Sequence, residues 1–238
     1  MKTKVNNVIA LIGLIAANAH AITTDDELVK KLETRLGVGQ VETISKSGFA
    51  DLLEVKTKTD LVYTDKSGSY LVSGRIIEVA SGKNLTEDRL NEINKVDFNT
   101  LPLQDAIKFV RGNGKRVMVI FEDPNCGYCK VLRRTLQSLD NVTIYTFQYN
   151  ILTPESKTKS RDIWCAADKS KAWDEWMLNG KAPAPAADKC HAPNEAVLDL
   201  GKKYRIAGTP AIFFADGSRI PGAVDAKTLE DKLAKTTK

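Results

Sequence analysis

The sequence predicts a small α+β unit, a polar helix after it, and a larger α/β unit with a helical insertion. Residues 22–83 contain one amphipathic helix and then short segments in which every second residue is apolar. Residues 84–97 have a mostly polar helical pattern, which is typical of a connector. From 98 to 238, apolar strand segments alternate with amphipathic helices, as they do in α/β domains.

The first 21 residues have the three parts of a secretory signal peptide. Two lysines precede an apolar segment at 8–17, and Ala19-His20-Ala21 provides the small residues of a cleavage site. A retained membrane anchor is the alternative, but a span needs about 20 apolar residues. We therefore expect cleavage near Ala21 and export to the periplasm, an oxidising compartment in which disulfides persist.

The charge is modest and evenly spread, and histidine is almost absent. The chain has 35 basic and 30 acidic residues, which gives a formal net charge of +5. Nucleic-acid-binding proteins concentrate basic charge in a patch, so we expect no nucleic-acid partner. If His20 leaves with the signal peptide, His191 is the single histidine left. We therefore expect neither histidine-based acid–base catalysis nor a metal or cofactor site.

The N-terminal unit begins with the amphipathic segment TTDDELVKKLETRLG. Leu28, Leu32 and Leu36 lie on one face of this predicted helix, and Gly37 is a typical helix stop. Four or five antiparallel strands are predicted between 38 and 82, in VETISKS, DLLEVKTK, DLVYTD and SYLVSGRIIEVA. Because such a small unit buries little core of its own, we expect it to dimerise through an edge strand.

The connector and the C-terminal unit can be predicted element by element. LTEDRLNEINKV predicts the connecting helix, with Thr86 as its cap. LPLQDAIKFVRGNG predicts a second helix, with Pro102 in its first turn. RVMVIFED and VTIYTFQYN predict two central strands. TPAIFFADGSRIPG predicts a hairpin with an Asp-Gly turn, and AKTLEDKLAK predicts a closing helix.

Two helical regions lie between these strands. The periodicity of NCGYCKVLRRTLQSLD predicts a helix with four inward residues, Val131, Leu132, Leu136 and Leu139. The insertion SRDIWCAADKSKAWDEWMLNG predicts a helical segment with an inner stripe of Trp164, Ala167, Ala172 and Trp176, and APNEAVLDLGKKYRI predicts another helix. The order β-α-β, helical insertion, β-β-α is that of a thioredoxin-type fold.

A C-x-x-C motif stands where a buried strand gives way to a helix. Zinc sites need a second such pair or a nearby histidine, and a structural disulfide between Cys126 and Cys129 would close too small a loop to stabilise much. Redox exchange fits better. At a helix start, the Cys126 thiolate would face free N–H groups and the positive end of the helix dipole. Cys129, one turn later, can act as the resolving thiol, and Gly127 and Tyr128 between them help to set the reduction potential.

Two further features bear on this site. Thr209-Pro210 precedes an apolar strand; a trans proline is the common form there, but by analogy a thioredoxin-type fold places a cis proline opposite the dithiol. The Thr209 backbone could then pair with an extended substrate. Glu122 and Asp123 precede the motif. One of them could accept a proton from the resolving thiol, although we favour two acids that form the turn at the strand end.

The other two cysteines, Cys165 and Cys190, allow two interpretations. They could form a structural disulfide that flanks the helical insertion and stabilises the fold by about 3.5 kcal/mol. Alternatively they could be a second redox pair, although they lack the close spacing of such pairs. His191, next to Cys190, is interpreted as a surface residue, and three tryptophans of the insertion as core and rim: Trp164, Trp173 and Trp176.

Taken together, these motifs resemble the family of DsbC-type periplasmic thiol:disulfide interchange proteins, which includes DsbG. FEDPNCGYCK resembles the active site of that family, IWCAADKSKAW resembles the helix with its first structural cysteine, and AGTPAIFFADGSRIPG resembles its cis-proline hairpin. The N-terminal strands and the connector match the family's dimerisation domain and linker in order and size. The resemblance covers essentially the whole chain after the signal peptide.

The resemblance implies a cystatin-like N-terminal dimerisation domain, a helical linker and a thioredoxin-like domain with a helical insertion. It also implies a V-shaped homodimer whose dithiols are kept reduced by a DsbD-type membrane reductase. The residues carried over are Cys126 as the attacking thiol, Cys129 as the resolving thiol, Gly127, Tyr128, Thr209 and Pro210 as the substrate-binding residues, and Cys165–Cys190 as the structural disulfide.

The function expected from this resemblance is isomerisation of incorrect disulfides in misfolded exported proteins, together with chaperone activity. One alternative is net disulfide oxidation or reduction, for which dimerisation through the N-terminal unit would not be needed. A second alternative is a DsbG-like holdase chaperone with a narrower set of clients, whose cleft rather than its thiols matters.

Overall fold

A computed structural model of the chain describes residues 26–58 and 60–236. The expected signal peptide at 1–21 and its cleavage site therefore lie outside the described residues. The chain divides into two compact units, one that ends at Ile76 and one that begins at Ile77. Within the described ranges, every helix is too short or too polar to cross a bilayer.

The N-terminal unit packs one helix on a four-stranded antiparallel sheet. Helix α1 is Asp26–Leu36, and the strands are β1 (Val41–Lys46), β2 (Leu53–Thr57), β3 (Leu61–Thr64) and β4 (Leu71–Val72), in the order β1-β2-β3-β4. The core joins one side of the helix to one face of the sheet through Leu28, Leu32, Ile44, Val55 and Val62. The predicted α+β arrangement is confirmed.

Strand β4 lies at one edge of this sheet and is short. Its two residues are exposed, Leu71 at 36% and Val72 at 47%, and the preceding Tyr70 is 74% exposed. Exposed apolar side chains on an edge strand are unusual, because such an edge can pair with another chain. Dimerisation through this edge stays a prediction.

A short ribbon and a helix begin the second unit. The ribbon pairs β5 (Ile77–Glu78) with β6 (Lys83–Asn84), and helix α2 spans Leu85–Ile93. The prediction of Thr86 as the helix cap is wrong. The side chain of Asn84 accepts the N–H of Glu87 at 3.1 Å, and Thr86, inside the helix, is buried.

The segment after α2 is held against the turn that contains Gly217, within the second unit, by a close backbone contact. The N–H of Val96 donates to the carbonyl of Gly217 at 3.0 Å. Gly217 has φ +81°, and a Cβ built there would lie 2.2 Å from the carbonyl oxygen of Val96. Glycine is therefore required at 217, both for the left-handed backbone and for the close approach.

The second unit is built on a five-stranded mixed sheet. Its strands are β7 (Ile107–Arg111), β8 (Arg116–Glu122), β9 (Val142–Gln148), β10 (Ala211–Phe214) and β11 (Arg219–Pro221), in the order β11-β10-β8-β9-β7. Strands β8 and β9 are parallel, and the other pairings are antiparallel. The helices are α3 (Gly127–Thr135), α4 (Pro154–Trp164), α5 (Lys169–Asn179), α6 (Asn194–Lys203) and α7 (Ala226–Thr236).

The predicted helix over LPLQDAIKFVRGNG is wrong. Two short 3-10 turns at Phe98–Thr100 and Leu103–Asp105 lead into strand β7, which pairs with β9. Ile107 and Phe109 are buried, whereas Lys108 and Val110 are exposed, and this alternation is the period of a strand. Pro102 made the segment look like a helix start, but the period-two pattern after it decides the structure.

The predicted inner faces of two helices also need correction. In α3, Leu132 is buried, and so are Leu136 and Leu139 after it, but Val131 is 50% exposed. The insertion is two helices, since α4 ends at Trp164 and Asp168 caps α5 through the N–H of Lys171. That interruption changes the helical phase, and the fully buried apolar residues are Ile163, Trp173 and Met177. Of the predicted stripe, Trp164, Ala172 and Trp176 are partly buried and pack against the same core, whereas Ala167 is exposed.

Strand β8 places the site, because its side chains enter two different cores. Met118 and Ile120 pack with α3, α5 and α7 on one face of the sheet, and Val119 and Phe121 pack with α6 on the other. The strand ends at Glu122, and helix α3 begins at Gly127. The cysteine motif therefore lies at the carboxyl end of the central strand, which is where open α/β sheets carry their functional sites.

Candidate active site

The sulfur of Cys126 caps helix α3. Cys126 has an extended backbone (φ −78°, ψ 116°), and its Sγ accepts the backbone N–H of Cys129 at 3.2 Å. A sulfur thus occupies the place of the oxygen that usually caps a helix. The N–H groups of the first turn and the helix dipole favour negative charge at this atom. Only 3% of Cys126 is exposed.

Cys129 lies one turn into the same helix and is fully buried. Both cysteines of the motif are free thiols in this structure. Burial raises the pKa of the Cys129 thiol far above its usual range, and the nearby Glu122 and Cys126 raise it further. Cys129 is therefore a thiol that needs a nearby proton acceptor before it can act as a nucleophile.

Thr209 and Pro210 lie beside the sulfur of Cys126. The peptide bond between them is cis, and the Cys126 thiol donates to the carbonyl oxygen of Thr209 at 3.3 Å. Pro210 is buried and leads directly into strand β10, whereas Thr209 is only partly buried. The structure thus brings this loop and the dithiol together, as the sequence predicted.

Exposed side chains surround the buried sulfurs. Gly127 is exposed, and Tyr128 is exposed over 73% of its surface, although both lie in the first turn of α3. Ile151 and Leu152 follow strand β9 and are exposed over 37% and 51%. An exposed apolar rim of this kind can contact an extended polypeptide.

Asp123 holds the part of this exposed rim that Ile151 and Leu152 form. Its carboxylate accepts four hydrogen bonds: from Asn125 N at 2.8 Å, Ser156 Oγ at 2.7 Å, Ile151 N at 2.9 Å and Leu152 N at 3.0 Å. Asp123 is fully buried. It therefore forms the turn before Cys126, as expected, and also fastens the loop after β9 to that turn.

Glu122 contradicts the interpretation that we favoured for it. It is the last residue of β8, it is fully buried, and its Oε2 accepts the indole N–H of Trp173 at 3.3 Å. Burial raises its pKa to about 7, and the positive charge of Arg133 acts in the opposite direction. Glu122 is therefore no turn-forming acid. It is a buried carboxyl group, electrostatically coupled to Cys129 and poised near neutral pH.

The other two cysteines are joined. A disulfide links Cys165, at the end of α4, to Cys190, 25 residues later, with 6.1 Å between their Cα atoms. Arg161 reinforces this connection, because its guanidinium donates to the carbonyls of Ala186 and Ala187. His191 is exposed. The bond crosses the helical insertion, which is the arrangement of a structural disulfide.

Sequence reasoning missed one charged residue near the dithiol. Arg133 is 1% exposed and lies four residues after Cys129 on α3. The i, i+4 spacing already places the two residues on the same face of the helix. An arginine on the same face as a buried cysteine was the signal that could have revealed it.

Across residues 26–58 and 60–236, no cluster of three or more His, Cys, Asp or Glu side chains is arranged to hold a metal ion.

Comparisons with known proteins agree with this geometry. The family model of a thioredoxin-like domain matches residues 103–237, and that of the disulfide bond isomerase protein N-terminal domain matches residues 17–87. The chain is 48% identical over 210 residues to the probable thiol:disulfide interchange protein DsbC of Bordetella avium, which covers 88% of this chain and 75% of that protein. The chain belongs to the DsbC family.

Other members of the DsbC family are more distant or match over a shorter part. The probable DsbC of Bordetella parapertussis is also 48% identical, but the match spans 64% of that protein and 76% of this chain. The DsbC of Escherichia coli K12 is 26% identical over 94% of this chain and 93% of its own length. A disulfide interchange protein from Neisseria gonorrhoeae aligns in structure with a TM-score of 0.55 and 35% identity, over 58% of this chain and 99% of that one.

Proposed function

We propose that this chain is a periplasmic thiol:disulfide isomerase that rearranges incorrect disulfides in exported proteins. The observation that carries the proposal is the position of the Cys126 sulfur, which caps α3 and touches the carbonyl of Thr209. One side of this sulfur meets the N-terminus of α3, and the other meets a backbone segment that can align a substrate. The chain's membership of the DsbC family supports the same conclusion.

The first step is attack by Cys126. The Cys126 thiolate forms a bond with one sulfur of a client disulfide, the client S–S bond breaks, and the other client sulfur leaves as a thiolate with the electron pair. The N–H of Cys129, 3.2 Å from the Cys126 sulfur, stabilises the negative charge that Cys126 carries before the attack and regains when it is released.

Isomerisation then needs no net oxidation or reduction. A second client thiolate attacks the client sulfur of the mixed disulfide, a new client disulfide forms, and the Cys126 thiolate leaves. Electrons balance, because one disulfide is broken and one is made within the client. The enzyme therefore starts each cycle with a reduced dithiol.

Cys129 provides an escape from a stalled mixed disulfide. Its proton moves to a carboxylate oxygen of Glu122, its sulfur bonds to that of Cys126, and the client sulfur leaves as a thiolate. The client is thereby reduced and the dithiol oxidised. A DsbD-type membrane reductase would return the dithiol to the reduced state.

Recognition of clients is assigned to the residues around the sulfur. The backbone of Thr209, at the start of β10, can pair with an extended segment, and such pairing does not depend on the client sequence. Gly127 leaves room beside the sulfur, and Tyr128 offers an exposed aromatic ring. A homodimer formed through the N-terminal unit would add a shared surface and chaperone activity.

Reshuffling of a model protein with scrambled disulfides tests this function. Cys126→Ser should abolish reshuffling, because the attacking sulfur is lost. Cys129→Ser should keep part of it while mixed disulfides accumulate, because isomerisation needs only the first sulfur. If both variants instead lose activity equally, net oxidation or reduction through both sulfurs is favoured. If Cys126→Ser reshuffles disulfides as fast as the original chain, the proposal is wrong.

A further inference from the structure

A buried cation lies on the helix that carries the dithiol. Arg133 in α3 is 1% exposed, and its Nε donates to Asp174 Oδ1 of α5 at 2.6 Å. Its guanidinium carbon lies 3.6 Å from the centre of the Phe109 ring. One nitrogen, Nη1, is buried and has no hydrogen-bond partner among the described residues. Burying an arginine costs free energy, so this placement calls for an explanation beyond packing.

Glu122 is a second buried ionisable group of this region, and the same two helices approach it. Its Oε2 accepts from Trp173, the residue before Asp174, so consecutive residues of α5 contact Glu122 and Arg133. Its Oε1 is buried and, among the described residues, has no hydrogen-bond partner. An unpartnered carboxylate oxygen and an unpartnered guanidinium nitrogen therefore belong to two buried side chains that neighbouring residues of α5 contact.

The groups that act on Glu122 come from three elements. Helix α3 contributes Cys129 and the positive charge of Arg133, and helix α5 contributes the negative charge of Asp174 together with the neutral indole of Trp173. Strand β9 contributes the neutral hydroxyl of Thr146. Arg133 is thus the cation that acts on Glu122 here, and Asp174 acts against it.

We propose that Arg133, held by Asp174, is a positioning residue that sets how readily Glu122 accepts the proton of Cys129, and so the pH at which the resolving step runs. This inference rests on the proposed function and adds a control element to it. In that step the Cys129 proton goes to Glu122, the Cys129 sulfur bonds to Cys126, and the sulfur bound to Cys126 leaves with the electron pair.

The two charges predict opposite effects. Burial raises the pKa of Glu122 to about 7, Arg133 lowers this pKa, and Asp174 raises it. The midpoint is the pH at which the rate of the resolving step is half of its maximum. Removal of the Arg133 charge should therefore move this midpoint to higher pH, and removal of the Asp174 charge should move it to lower pH. Loss of packing alone would not produce shifts of opposite sign.

The test follows the reaction of the reduced full chain with less than one equivalent of Ellman's reagent. The first thionitrobenzoate is released when Cys126 attacks, and the second is released when Cys129 resolves the mixed disulfide. The rate of the second release is measured from about pH 5 to about pH 9, which gives its midpoint. Cys129→Ala identifies the second phase, because that variant must lack it.

Arg133→Met should raise the midpoint by about one pH unit or more. At pH values below the original midpoint, the second phase should then be about tenfold slower in this variant than in the original chain. Asp174→Asn should lower the midpoint, and Arg133→Lys, which keeps the charge, should stay near the original value. In a Glu122→Gln background, Arg133→Met should cause no further shift. If Arg133→Met does not fold, Asp174→Asn decides alone, since its side chain is partly exposed and nearly unchanged in shape.

Midpoints that do not move, or that move in the same direction in Arg133→Met and Asp174→Asn, overturn the inference. That failure differs from failure of the proposed function. If the original chain releases no second thionitrobenzoate at all, the exchange chemistry itself is absent. If both phases are present but the midpoints do not respond, only the role of Arg133 is wrong.

Discussion

The sulfur of Cys126 lies 3.3 Å from the carbonyl oxygen of Thr209, although 83 residues separate them in the chain. Cys126 follows strand β8, Thr209 precedes strand β10, and these two strands are paired, with Phe121 opposite Ala211. The sheet therefore fixes the distance between the reactive sulfur and the backbone that can hold a substrate.

Glu122 should make stability fall as the pH rises. Burial raises its pKa from 4.5 to about 7, so the folded state holds this proton more tightly than the unfolded state. The resulting stability is fully present below about pH 4.5 and is lost as the pH rises through about 7, for a loss of about 3 kcal/mol. Urea unfolding at both ends of this range should show the loss in the original chain but not in Glu122→Gln. Equal pH dependence in both proteins would contradict the assignment.

Asp123 should be needed for the exposed rim. Asp123→Asn turns one of its two carboxylate oxygens into an NH₂ group, which faces N–H or O–H donors. We expect a loss of about 2–3 kcal/mol in the free energy of unfolding and faster hydrogen exchange at Ile151 and Leu152. Asp188→Asn, at an exposed position, is the matched control and should change neither. Unchanged exchange at the two rim residues in Asp123→Asn would show that the carboxylate does not fasten the loop.

The Cys165–Cys190 disulfide should stabilise the fold without taking part in exchange. It closes a loop with a sequence separation of 25, for which chain entropy gives about 3.5 kcal/mol. The double variant Cys165→Ala, Cys190→Ala should lose about this much in urea unfolding. It should still release both equivalents of thionitrobenzoate from Ellman's reagent. Loss of that reaction in a variant that remains folded would revive the interpretation of a second redox pair.

The exposed edge strand β4 should mediate dimerisation. Val72→Lys places a charge on this edge, which should weaken the dimer about tenfold or more, equivalent to about 1.4 kcal/mol. Sedimentation equilibrium measures the change. Val110→Lys, on the edge strand β7 of the other sheet, offers a matched control because Val110 is 57% exposed. An equal effect of both substitutions, or none from Val72→Lys, would exclude β4 as the interface.

Local patterns were enough to predict most of the fold. The cysteine spacing, together with the apolar segment before it, predicts a strand-to-helix turn with Cys126 at the helix start and Cys129 one turn later, and the structure has this turn. Thr209-Pro210 could be placed only by analogy with a thioredoxin-type fold, and in the structure its strand pairs with the strand of the dithiol. The predicted helix at 101–114 is wrong because Pro102 resembles a helix start, whereas the period-two pattern of strand β7 covers only five residues.

The buried charges could not be predicted in the same way. The side chain of Glu122 is buried because strand β8 continues as far as this residue and helices cover the end of the strand. The local sequence fits a turn at this position equally well. Arg133 donates a hydrogen bond to Asp174, which lies 41 residues later in the chain, and no short-range pattern marks that pair. The buried face of α5 depends on the break at Asp168, which resets the helical phase. These features arise from tertiary packing, which places the buried carboxyl group of Glu122 at the site.

The central claim is that Cys126 is the sulfur that bonds to clients, and capture of the mixed disulfide tests it most directly. The full chain with Cys129→Ser is mixed, in separate reactions, with a scrambled form of a disulfide-containing protein and with its reduced form, which is the control. The products are quenched with acid and mapped by mass spectrometry. We expect the scrambled client, joined through a disulfide to the peptide that contains Cys126. Capture through Cys165 or Cys190, or no captured client at all, would contradict the account.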